Sequence, residues 1–177
     1  MSNSSLLPID RFLATLDIVS RESKHLSYSY HKLFSQKVDS NWVRDLNDKP
    51  DIAEQLEAFV SRFGRLQDTI ADKLLPRWLM AMAETPGSQI ETLNRAERLG
   101  VIENVDMWLR ARKLRNRLVH EYMESEETFA QDLIEAKEYS ALLIECFNRI
   151  CEFVANRMSV DDAQIPELLD FPNTKNI

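Results

Sequence analysis

From Ile52 onward, apolar residues recur in steps of three and four: Ile52, Leu56, Phe59, Phe63, Leu66, Ile70 and Leu74. That spacing is the seam of a helix packed lengthwise on another helix. An earlier run, from Pro8 to about Phe34, places Leu13, Leu16, Leu26, Tyr30 and Leu33 at helical spacing behind a proline suited to a first turn. The stretch "SQKVDSNWVRDLNDKP" reads as the connection between the two, and Asp48, Pro50 and Asp51 mark the second start. Pro76 is expected to kink or end that second helix, although "RWLMAMAE" beyond it is helix-prone.

"ETPGSQIE" supplies a turn and a capping box, Ser88 with Glu91, which opens a short helix ending at Gly100. Asn104 caps a fourth helix. Ser125 caps a fifth, with Glu126 and Glu127 well placed in its first turn. Phe129, Leu133, Ala136, Leu143, Phe147, Ile150 and Val154 form one stripe of that last helix, which ends near Ser159. No strand pattern competes. The expected architecture is all-α, an up-and-down bundle of four long helices plus one short helix over residues 1–159, followed by a C-terminal tail over 160–177. The tail either lies along the bundle through Ile165, Leu168, Leu169 and Phe171 or is loosely ordered.

Composition narrows the function classes. A chain of 177 residues is most simply one domain. Its longest apolar runs fall far short of the roughly 20 residues needed to span a bilayer, and "MSNSSLLPID" carries no signal-peptide pattern, so a cytoplasmic location away from membranes is expected. Cys146 and Cys151 lie about 140° apart on one helix, which points to reduced, packed thiols. Three histidines (His25, His31, His120) without zinc-ligand spacing give no metal site and suggest no cofactor. The net charge of -7 is wrong for a protein that coats nucleic acid, so any such contact is local. The one dense basic run is "RARKLRNR", residues 110–117.

That run sits on the fourth helix and overlaps "RNRLVHEY", residues 115–122. With Arg115 at zero on a wheel of about 100° per residue, Trp108, Ala111, Leu118, Val119 and Tyr122 fall within roughly 60° of it. Arg115 is therefore expected in the middle of the inward stripe, with Arg112, Asn116 and His120 near its border and Arg110, Lys113 and Arg117 pointing away. A guanidinium there needs an anion, because a buried, unpaired charge costs several kcal/mol. Two anions fit: an internal carboxylate, or a phosphate gripped by the guanidinium fork with His120 beside it for proton transfer. A bare Arg-x-x-x-x-His pair is weak, expected by chance about once in four such chains. Adding Asn116 and Tyr122 brings a chance match well below about one in a thousand.

Arg115, Asn116, His120 and Tyr122, with the preceding "RLGVI", resemble the HEPN superfamily and especially its HepT-like toxins. Their signature is Arg, a polar residue, three residues, His, one residue, Tyr. The likeness covers about residues 88–123; elsewhere it is only a bundle pattern. The resemblance implies a metal-independent endoribonuclease with Arg115 and His120 catalytic and Asn116 assisting. It also implies a homodimer lining one cleft, and silencing by an MntA-like nucleotidyltransferase antitoxin that transfers AMP to Tyr122. Arg112 and Arg117 are the candidate RNA contacts. A second reading is a non-catalytic HEPN partner that positions substrate for a nucleotidyltransferase. The chain departs from a minimal HepT-like toxin in its extended second helical region and acidic tail, and that tail is a candidate cover for the cleft or for an antitoxin surface.

Overall fold

The computed structural model describes residues 6–120 and 125–172, leaving aside the side chain of residue 120. Among them the secondary structure is helical, with no strand. The first helix, α1, spans Pro8–Leu33, and the stretch read as a bare connection holds a short helix, α2 (Ser40–Asp45). Asp39 caps α2, its carboxylate accepting from Trp42 N–H at 3.0 Å, and a 3-10 turn at Leu46–Asp48 follows. Trp42 and Leu46 are both buried, so this connection contributes to the core.

Helix α3 (Pro50–Thr69) passes through a π-helical segment, Ile70–Leu74, directly into α4 (Leu75–Ala81). Pro76, expected to kink or end the helix, does not end it. Proline has no N–H to donate, and its ring crowds the carbonyl four residues back. One widened turn absorbs both problems, with Leu75 N–H reaching back five residues to Ile70 O. The helix ends instead at Ala81, and just past it Ala83, with φ of 60°, makes the left-handed turn usually given to glycine, with Glu84 N–H bonded to Leu79 O at 2.9 Å.

Helix α5 (Gln89–Arg98) opens on the expected Ser88–Glu91 capping box and stops at Gly100, φ 78°. Helix α6 (Val105–His120) carries the motif, and α7 (Glu126–Arg157), capped by Ser125, is the longest. The α1 helix packs most extensively on α3 and α4, while α6 packs on α7 and α3. Trp78, Trp108, Phe12, Phe59, Phe63 and Phe147 are fully buried between them. Each large side chain removed from water contributes about 1.5–3 kcal/mol.

The tail lies along the bundle. Asn148 on α7 grips its extended backbone twice, donating from Nδ2 to Leu169 O and accepting from Leu169 N–H, both at 2.9 Å. Phe171 packs on Tyr30 with ring centroids 4.6 Å apart. The described part of the tail therefore rests on α1 and α7.

Candidate functional site: a groove between α3 and α6

Helix α6 starts where the sequence places it. Asn104 Oδ1 accepts from Met107 N–H at 3.1 Å, and Glu97 Oε2 accepts from Val105 N–H at 2.7 Å. The buried residues of α6 are Val105, Trp108, Ala111, Leu114 and Leu118. The first four are three apart, and each step of three turns the buried stripe back by about 60°. By the level of Arg115 the stripe has moved to Leu114 and Leu118. Arg115 therefore stands at its edge and not at its centre, and Val119, expected to point inward, is half exposed.

From that edge the guanidinium reaches α3. Arg115 Nη2 donates to Asp68 Oδ2 at 3.0 Å, and Nη1 donates to Oδ1 of the adjacent Asn116 at 3.2 Å. The internal carboxylate is thus the anion present. The Arg115 side chain is 32% exposed and that of Asp68 49%, so the pair is a wall of an open groove. An ion pair this wet contributes about 0.2–1 kcal/mol.

Beneath the guanidinium lies Gly64, buried in the middle of α3. A Cβ at this position would stand 2.9 Å from Arg115 Nε and 3.2 Å from its Cγ. Glycine in a helix interior is unfavourable by about 1 kcal/mol relative to alanine, and here the missing methyl is the space that Arg115 occupies. Arg115 Nε is buried against it, with no hydrogen-bond partner among the described residues.

The groove encloses about 780 Å³. Leu56 and Val60 of α3 and Leu118 and Val119 of α6 give it an apolar floor, while the charged lining is balanced, Arg65, Lys73 and Arg115 against Glu57, Asp68 and Asp72. Exposed Asn116 adjoins it through its bond to Arg115. Nothing from the described part of the tail lines it, so that part does not cover this face.

The flanking arginines separate. Arg112 donates to Gln89 Oε1, and Gln89 Nε2 donates in turn to Asp72 Oδ1 at 2.6 Å, a relay tying α6 to the start of α5 and the π segment. Arg117 turns to the other side of the helix. Its Nη2 and Nε bind the two oxygens of nearly buried Asp132 on α7 at 2.9 and 3.2 Å, with Glu135 a further 3.8 Å neighbour. That bidentate pair, unlike the Asp68 pair, clamps two helices together. The His120 side chain and Tyr122 lie outside the described residues. Among the described residues no three His, Cys, Asp or Glu side chains gather as a metal site, and no helix is long and apolar enough to cross a membrane.

Gly64, Asp68 and Gln89 were not among the expected site residues. Only Gly64 carries a local signal, since a lone glycine inside a strong helical pattern often marks a close approach. Comparison of the chain with protein-family models, curated proteins and solved structures found no match. The functional reading therefore stands on the motif and the groove.

Proposed function

We propose that the protein is a HEPN toxin of the HepT type, a metal-independent endoribonuclease whose composite site forms where two copies bring their Arg115 grooves together. What supports the reading is the accessibility of the motif arginine. Its fork opens onto a groove large enough for a nucleotide, beside exposed Asn116, which lies four residues before His120, and is not enclosed in the core.

The chemistry asks little beyond these residues. RNA brings its own nucleophile, the ribose 2′-OH, which attacks the adjacent phosphorus while the bond to the 5′-oxygen breaks, leaving a 2′,3′-cyclic phosphate and a 5′-hydroxyl. One imidazole takes the 2′-OH proton and another gives a proton to the departing oxygen, a division suited to His120 from two subunits. Arg115 stays charged throughout and offsets the charge that builds on the phosphoryl oxygens. An MntA-like nucleotidyltransferase silences the toxin by placing AMP on Tyr122, adding negative charge and bulk next to the phosphate seat.

The Arg115–Asp68 pair favours a second reading, in which the chain is a non-catalytic HEPN subunit that positions substrate for the nucleotidyltransferase. Expression toxicity and RNA cleavage distinguish the two. The ribonuclease reading expects both to vanish in His120→Ala and Arg115→Ala variants that still fold. It fails if wild-type and His120→Ala protein leave tRNA and mRNA equally intact. Intact mass after co-expression with the nucleotidyltransferase is expected to rise by whole AMP units that map to Tyr122.

A further inference from the structure

Around α3 from the Arg115 groove, a hollow of about 430 Å³ opens between α1 and α3. Four of its six lining side chains are basic: Arg21 and His25 on α1, Arg62 and Arg65 on α3. Spacings of four and three place each pair on one helix face. In a chain of net charge -7 this is a local concentration of the opposite sign, and it lies apart from the basic run on α6.

The acids nearby oppose it weakly. Glu22 turns inward, accepting the Thr69 hydroxyl at 3.2 Å through Oε1, while Oε2 is buried with no donor among the described residues. That burial pushes its pKa above the ordinary carboxylate value. Asp17 touches Arg21 at 3.2 Å, but both side chains are about two-thirds exposed, so water and salt screen the pair. Arg62 is already fixed, its Nη1 donating to Ser29 Oγ at 2.7 Å and His25 O at 3.2 Å. Arg65 is exposed and lines both this hollow and the Arg115 groove.

The two cavities therefore share one lining cation. From Arg62 to Asp68, Arg115's partner, is six residues of helix, about 9 Å along the axis. At about 3.4 Å per stacked nucleotide that is roughly three nucleotides. We infer that the Arg21–His25–Arg62–Arg65 hollow is a second phosphate seat, holding the backbone of a single-stranded RNA whose scissile bond lies at Arg115. Ile18, 40% exposed at its edge, offers the apolar spot against which a base or ribose rests. This inference rests on the ribonuclease reading and adds to it where the strand runs.

The test uses full-length protein and a 2′-O-methyl dodecamer, which cannot be cleaved because its nucleophile is blocked. Binding is followed by fluorescence anisotropy over a range of NaCl concentrations, with a dinucleotide as the short probe. The double variant Arg21→Gln/Arg62→Gln, two positions that line the hollow but not the Arg115 groove, is compared with Arg110→Gln/Lys113→Gln, which removes equal charge from exposed positions of α6. Retained folding is checked by thermal melting.

The hollow variant is expected to weaken dodecamer binding about tenfold and to lower the slope of log K against log salt by about 0.7 per arginine. The dinucleotide, too short to span both cavities, is expected to shift by less than about twofold. The α6 variant is expected to stay near wild type. If wild-type protein binds the dodecamer but the hollow variant matches the α6 variant in affinity and slope, the second seat is overturned and the ribonuclease reading survives. Failure of wild-type protein to bind the dodecamer at all overturns both.

Discussion

Gly64→Ala is expected to separate folding from function. The added methyl would sit 2.9 Å from Arg115 Nε and 3.2 Å from Cγ, against the 3.5–4.0 Å of an ordinary contact, so the arginine must retreat by about 0.5–1 Å. Two stability terms nearly cancel. Alanine in a helix interior gains about 1 kcal/mol over glycine, while displacing the half-exposed Arg115–Asp68 pair loses about 0.2–1 kcal/mol. A net change within about 1 kcal/mol moves Tm by no more than about 4 °C in a chain of this size. The same displacement at a reacting phosphate costs up to about a hundredfold in rate. Thermal melting and single-turnover cleavage of RNA read the two sides. A double-mutant cycle makes the argument independent of activity: in an Arg115→Ala background the obstruction is gone, and Gly64→Ala is expected to stabilise by the full ~1 kcal/mol. The reasoning is refuted if Gly64→Ala is equally stabilising in both backgrounds, or if it lowers stability by more than about 3 kcal/mol because the α3 backbone moves in place of the arginine.

The helices were legible because their signals are local. The three-and-four spacing from Ile52 to Leu74, the Ser88–Glu91 capping box and the Asn104 and Ser125 caps each act within one or two turns, and each appears as read. Of the two outcomes expected at Pro76, an end does not occur, because a π turn absorbs the lost hydrogen bond and the helix continues in distorted form. The α2 helix was missed although Asp39 is a regular cap, since six residues give no periodicity to detect. At the site, one wheel for all of α6 assumed a single straight stripe, whereas steps of three from Val105 to Leu114 rotate it away from Arg115. The anion on Arg115 comes from 47 positions earlier, and the one on Arg117 from the next helix. No pattern within α6 distinguishes an arginine that clamps helices from one that lines a groove.

Three further outcomes follow from the fold. Ala83→Gly is expected to stabilise by about 0.5–1 kcal/mol, because alanine at φ 60° carries a left-handed penalty larger than the extra freedom glycine gives the unfolded chain; an unchanged or lower denaturation midpoint contradicts this. Asn148→Ala removes both bonds to Leu169 and is expected to cost about 1–2 kcal/mol and to speed proteolysis within residues 158–172, measured by mass spectrometry of early cleavage products; an unaltered cleavage pattern sinks the clamp. Burial pushes the thiols of Cys146 and Cys151 from near 9 to about 12, so the unfolded chain loses these protons first and stability falls as pH rises through that window. Neither thiol is expected to react with a disulfide reagent at mildly alkaline pH until the protein unfolds, and Cys146→Ala is expected to flatten the alkaline loss; the same slope in both proteins rejects the assignment.

An arginine already paired within its own chain need not be lost to catalysis, and magnitudes decide whether it is. The pair with Asp68 is half exposed and held by one 3.0 Å bond, so opening it costs no more than about 1 kcal/mol. A phosphodiester pressed into the groove by a second subunit would offer the same fork charge-assisted bonds in a drier setting, which are worth about 1.5–3 kcal/mol each. On the proposed ribonuclease reading the exchange would run toward the phosphate, with Asp68 keeping the fork aimed while the groove is open. Arg117 makes the contrast. Its carboxylate is nearly buried and bound at both oxygens, and taking that partner away loses two charge-assisted bonds, about 1–3 kcal/mol, although Glu135 at 3.8 Å still faces the guanidinium. Asp68→Asn is thus expected to leave folding nearly unchanged and to tighten binding of an uncleavable RNA, whereas Asp132→Asn is expected to lower stability by about 1–3 kcal/mol. If both substitutions instead affect stability alike and neither affects binding, Arg115 is a structural arginine and the groove is not its site of action.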